Sequence, residues 1–158
     1  MNKFFLLVLI STISFVSANS QDKIFFISPG FKLGYIFGKS GGFVWGLELS
    51  ILKVPFNYGK GIAGDIYGIV FDVDVCKRVT KFHLGVEYIN LNYWGVSLGP
   101  TMFSDRGDKD YGINITPFGG YGFYPYFGYT YRFTRPDIYE IGSYLKMPIP
   151  VNLNFDKL

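Results

Sequence analysis

Trp45-Gly46-Leu47-Glu48-Leu49-Ser50-Ile51 is bulky and apolar at every odd position and small or polar at every even one. A period of two is the signature of a β-strand, whose successive side chains point to opposite faces. The same sorting recurs downstream. Tyr67, Ile69, Phe71, Val73 and Val75 alternate with Gly68, Asp72 and Asp74, and Trp94, Val96 and Leu98 alternate with Gly95, Ser97 and Gly99. From residue 24 onward it defines eight segments, about 24–37, 43–52, 65–76, 81–90, 94–103, 111–118, 123–133 and 138–147. Turn-like stretches separate them: Lys39 to Gly42, Asn57 to Gly64, Lys77 to Thr80, Ser104 to Asp110 and Thr134 to Asp137. Helical periodicity is absent from these segments.

Which face points inward decides the class. A soluble barrel or sandwich fills its core with the apolar face and clothes the other in Lys, Glu, Thr and Gln. Here the second face is instead rich in glycine, which weakens a strand and buries nothing. Bulky residues outside with small and charged ones inside is the pattern of a transmembrane β-barrel. Eight strands leave an interior only wide enough for side chains, which small residues suit. The aromatics of the bulky face are also too many to fit inside such a barrel. The pattern therefore predicts an all-β fold, an antiparallel up-and-down transmembrane β-barrel of about eight strands.

Composition agrees. Aromatics make up 20% of the 158 residues and charged residues 17%, against a usual charged share of about 25%. This excludes a disordered chain. Twenty glycines argue against a helical domain, since each costs a helix about 1 kcal/mol relative to alanine. The formal charge of +3 is too small and scattered for nucleic-acid binding. Cys76 is the only cysteine, so no internal disulfide and no multi-cysteine zinc site can form.

Residues 1–20 read as a secretory signal peptide, with Lys3 as its positive start, an apolar stretch from Phe4 to Val16, and small residues at Val16-Ser17-Ala18. Thirteen residues are too few to span a bilayer as a helix, which takes about 20. Residues 21–158 are then one barrel domain.

At this point the chain resembles the small eight-stranded outer-membrane barrels of the OmpA/OmpX type found in Gram-negative bacteria. The resemblance spans residues 24–147 and is one of architecture, with no short diagnostic motif. It implies an outer-membrane location in the cell envelope, contact with outer-membrane lipid, delivery by the barrel assembly machinery, and a monomer. Two features depart from that pattern. Phe155 is followed by Asp156, Lys157 and Leu158 where such barrels end on an aromatic, and Lys53 to Gly64 forms a long turn on the side where turns are short.

The polar face supplies the candidate site. Lys32, Arg132 and Lys146 are expected in the lumen against Glu48, Asp72, Asp74, Glu87 and Glu140. Charges in a narrow lumen must be paired or hydrated. They form either a salt-bridge network that plugs the barrel or a narrow, porin-like polar path for ions. His83 is the only histidine, so any histidine-based catalysis must pass through it. Small outer-membrane lipid A deacylases place a serine two residues after that histidine; Gly85 stands there in this chain. Glu87 lies on the same face as His83 and is its expected hydrogen-bond partner.

Other motifs weigh little. Arg106-Gly107-Asp108 resembles an integrin-recognition tripeptide in the most charged loop, and is the candidate contact for an extracellular partner; a turn also calls for Gly and Asp. Asp105, Asp108 and Asp110 lack the EF-hand spacing for calcium. Gly38-Lys39-Ser40 lacks the leading glycine of a phosphate loop, because residue 33 is leucine.

The reading expects a non-enzymatic membrane-structural or surface-interaction protein without cofactor or metal. The alternatives are a lipid-modifying outer-membrane enzyme using His83 and a soluble periplasmic barrel that encloses an apolar ligand.

Overall fold

The computed structural model describes residues 23–38, 41–57, 61–62, 64–77, 79–90, 94–105 and 107–151. The expected signal peptide and the Phe155 terminus lie outside the described residues. So does Arg106, which leaves Gly107 and Asp108 of the tripeptide.

Ten strands follow one another: β1 (Lys23–Phe37), β2 (Gly42–Asn57), β3 (Gly61–Ile62), β4 (Ile66–Cys76), β5 (Val79–Asn90), β6 (Trp94–Asp105), β7 (Asp108–Gly119), β8 (Phe123–Arg132), β9 (Ile138–Lys146) and β10 (Ile149–Val151). Eight of them close a ring in the order β1-β2-β4-β5-β6-β7-β8-β9, because β1 pairs with both β2 and β9. Every pairing is antiparallel. Each connection joins neighbours in the ring, as in an up-and-down barrel, and closure leaves the wall without an exposed edge. The expected all-β barrel of eight strands is therefore observed.

The two short strands extend the wall at one end. β3 folds back on the last residues of β2, with Phe56↔Ile62 and Asn57↔Gly61. β10 continues the line of β9 along β1, from Ile27↔Ile149 to Phe25↔Val151. We call this the terminal end, and the opposite end distal.

Two expected loops are corrected by these pairings. The segment from Lys53 to Gly64 is not simply a long turn: β2 stays in register with β4 as far as Lys53↔Tyr67 and then runs on into its hairpin with β3. The charged segment from Ser104 to Asp110 is almost entirely strand, since β6 and β7 pair up to Asp105↔Asp108. Just past the strand end, Gly107 has a left-handed φ of 97°, which glycine adopts without strain. Alternation continues through these charged residues, so polarity there marks the end of the barrel wall and not a long loop.

The two faces are sorted as the alternation predicts. Trp45, Leu47, Phe71, Tyr131 and Leu145 are among the exposed large residues, while Lys32, Asp74, His83, Glu87 and Glu140 are buried. An enclosure for an apolar ligand would need the reverse orientation, so the soluble-barrel alternative is not supported: the aromatic face is outside. The inward glycines make room for long polar side chains. A Cβ on Gly85 would sit 2.7 Å from His83 Nε2, and one on Gly46 would collide with the Asp74 carboxylate.

Candidate functional site: a charged lumen between two apolar layers

Two apolar clusters share the lumen with its charged side chains. At the distal end Ile36, Val44 and Cys76 pack together with Ile138. At the terminal end Phe118, Tyr126 and Tyr144 pack with Ile89 and Tyr124. Lysines and carboxylates interleave with the terminal cluster, where Lys32 stands over the Tyr126 ring and Lys146 over the Phe118 ring.

Four of these form an alternating ring. Lys32 Nζ lies 2.7 Å from Asp74 Oδ2 and 2.9 Å from Glu140 Oε1. Lys81 Nζ lies 2.9 Å from the same Asp74 oxygen and 2.7 Å from Glu140 Oε2. Each lysine therefore bridges both carboxylates, and each carboxylate faces both lysines. The Tyr126 hydroxyl donates to Glu140 Oε1. Lys32 also stands 4.8 Å from the centre of the Tyr126 ring, within cation–π range.

A second centre is built differently. Lys146 Nζ pairs with both Glu48 and Glu87, and Ser50 donates to Glu48 at 2.9 Å. Here one cation serves two carboxylates. Asp72 stands directly opposite Glu48 across the β2–β4 ladder, and like charges facing across strands repel. Tyr144 links the centres: its ring is 5.5 Å from Lys32 and 4.9 Å from Lys146.

Arg132 stands apart from both, near the distal end. Its guanidinium lies 2.6 Å from Asp110 Oδ2 and 4.9 Å from the Phe103 ring centre, and Thr134 donates to Asp110 at 2.6 Å. All nine expected lumen residues thus face inward, but they divide into separate centres. Two were missed. Asp110 falls in the expected turn Ser104 to Asp110, and Lys81 is the first residue of the expected strand 81–90, yet each continues its strand's inward parity (Lys81 with His83, Asp110 with Gly112).

His83 does not meet Glu87, contrary to expectation, because Lys146 takes that carboxylate. Instead Nε2 lies 3.0 Å from Ser97 Oγ and Nδ1 lies 3.1 Å from Thr101 Oγ1. Both ring nitrogens are thus engaged by hydroxyls, and the ring is 1% exposed. A serine on one nitrogen matches half of a nucleophilic triad, but a threonine holds the place of the orienting carboxylate. Farther along the same face Asn114 donates to Thr130 at 2.8 Å and accepts from Thr116 at 2.7 Å.

The described lumen carries four cations, Lys32, Lys81, Arg132 and Lys146, against six carboxylates, Glu48, Asp72, Asp74, Glu87, Asp110 and Glu140. Three carboxylate oxygens, Asp72 Oδ1, Asp74 Oδ1 and Glu87 Oε2, are buried without a hydrogen-bond partner. No group of three or more ligating side chains with metal-site geometry occurs among the described residues. Comparisons with protein-family models, curated proteins and solved structures gave no match.

Proposed function

We propose that the chain is an outer-membrane β-barrel of the cell envelope with a membrane-structural or surface-interaction role and no catalytic one. The observation that carries this reading is the inversion of its two faces. Large apolar side chains crowd the outside, many more than 40% exposed, while lysines and carboxylates are buried within. Soluble monomers rarely expose contiguous apolar patches beyond a few hundred Å². Hydrocarbon is the solvent in which such an outside is stable, and a closed barrel satisfies every backbone group there. Strands of nine residues or more are long enough to cross at a tilt. Ion pairs and aromatic rings packed together in the lumen support a plug over a path for ions.

Membrane fractionation combined with gel electrophoresis tests this. The mature chain should sediment with outer membranes, require detergent for release, and migrate faster unheated than boiled. Recovery as a detergent-free periplasmic monomer would overturn the proposal.

A further inference from the structure

We propose that a trough on the outer wall, towards the terminal end, binds the acyl chain of a lipid as a resident ligand. The proposal rests on the membrane reading above and goes beyond it, since it distinguishes one bound chain from the exchanging bilayer around it. The trough interrupts the bulky belt. Its floor is Gly119, Pro125 and Ser143, three small or compact residues side by side on β7, β8 and β9. Pro125 pairs with Ser143, and Gly119 lies one residue beyond the Phe118↔Tyr126 pair. Trp94, the partner of Gly119, closes one side, and Leu33, the partner of Ser143, closes the other. Along β8 the rings of Phe123 and Phe127 stand on either side of the Pro125 floor. The trough is open to the outside and holds about 950 Å³, at the upper end of ordinary ligand sites.

The wall beneath is paired less fully than its neighbours on this face. The β7–β8 ladder skips from Ile115↔Tyr129 to Phe118↔Tyr126, across Pro117, which has no N–H to give. The occupant follows from the lining. No charged side chain lines the trough, so it offers nothing to a headgroup. It is continuous with the belt that the proposed function sets against hydrocarbon. A floor of three residues falls far short of the about 800 Å² per partner that a stable protein pair needs. An acyl chain entering from the bilayer fits this shape and chemistry.

Trp45 and Trp94 are the only tryptophans, which allows an optical test. Trp45→Phe leaves Trp94 as the sole reporter inside the trough. A reference protein carries Trp45→Phe, Trp94→Phe and Phe71→Trp, which moves the reporter to β4, across the ring from β8. Both full-length proteins are reconstituted in phosphatidylcholine vesicles with brominated acyl chains, which quench tryptophan on contact. The vesicles are then exchanged against unbrominated phosphatidylcholine. Trp94 is expected to recover about tenfold more slowly than the reference, the factor set by about 1.4 kcal/mol of extra affinity. Ser143→Phe, which fills the floor, should abolish the lag, and Ser143→Ala should keep it. Equal recovery of Trp94 and the reference overturns the proposal even if Ser143→Phe fails to fold. A Trp94 shielded from the start beside a quenched reference also overturns it, because a protein partner then covers the trough. Quenching of neither reporter would instead overturn the membrane reading itself.

Discussion

The lumen solves the problem of buried charge twice, and the two solutions differ in balance. Around Asp74 and Glu140, two lysines and two carboxylates alternate, so each charge has two opposite neighbours. Around Lys146 a single ammonium holds Glu48 and Glu87, with Asp72 facing Glu48 across the ladder. The first centre matches its cations to its carboxylates and is redundant; the second has one cation for its carboxylates and is singly held. Substitutions that look alike should therefore have different consequences in the two places.

Removing a cation separates them most. Lys146→Met strands two buried carboxylates and should cost about 3–5 kcal/mol in urea unfolding of the detergent-solubilised barrel. Lys32→Met should cost clearly less, because Lys81 still touches both Asp74 and Glu140. Equal losses would mean that the alternating ring confers no redundancy.

Removing a carboxylate should reverse the ranking. Asp74→Asn leaves two lysines sharing Glu140 and should destabilise by about 1–3 kcal/mol. Glu48→Gln leaves Lys146 paired one-to-one with Glu87 and relieves the repulsion from Asp72. Its midpoint should stay unchanged or rise, and a large fall would show that the second centre is better compensated than its ion pairs imply.

The smallest effect belongs outside both centres. Arg135 reaches Asp105 at 3.7 Å and Asp108 at 3.4 Å from a half-exposed position at the distal end. Arg135→Ala should change stability by less than about 1 kcal/mol, and 1 M salt should erase the difference in the same unfolding assay.

Much of this architecture is readable from side-chain size alone. The outward and inward faces differ so strongly in side-chain size that Trp45 through Ile51 announce both strand and orientation. The signal fades where the demands converge. At Leu52 and Val54 the inward side of β2 becomes apolar too, so the alternation there no longer marks the faces and does not reveal the hairpin into β3. The partners within the lumen were legible only as a set. Lys81 meets Glu140 across 59 residues of chain, a pairing fixed by the stagger of the closed ring and by nothing local. His83 illustrates the same limit: Glu87 is near in sequence, yet Ser97 and Thr101 on β6 are nearer in space.

The pairing of β1 with β9 has a kinetic meaning. Every other ladder of the ring joins strands that follow each other closely, whereas this one joins Phe37 to Tyr139 and Gly30 to Lys146. Bringing such distant segments together carries the largest loop-closure entropy in the chain. Until β9 arrives, Lys32 lacks Glu140, Lys146 is missing from Glu48 and Glu87, and the sheet has two raw edges. The zipper between the first and last long strands therefore completes the wall and brings these ion pairs together in one event.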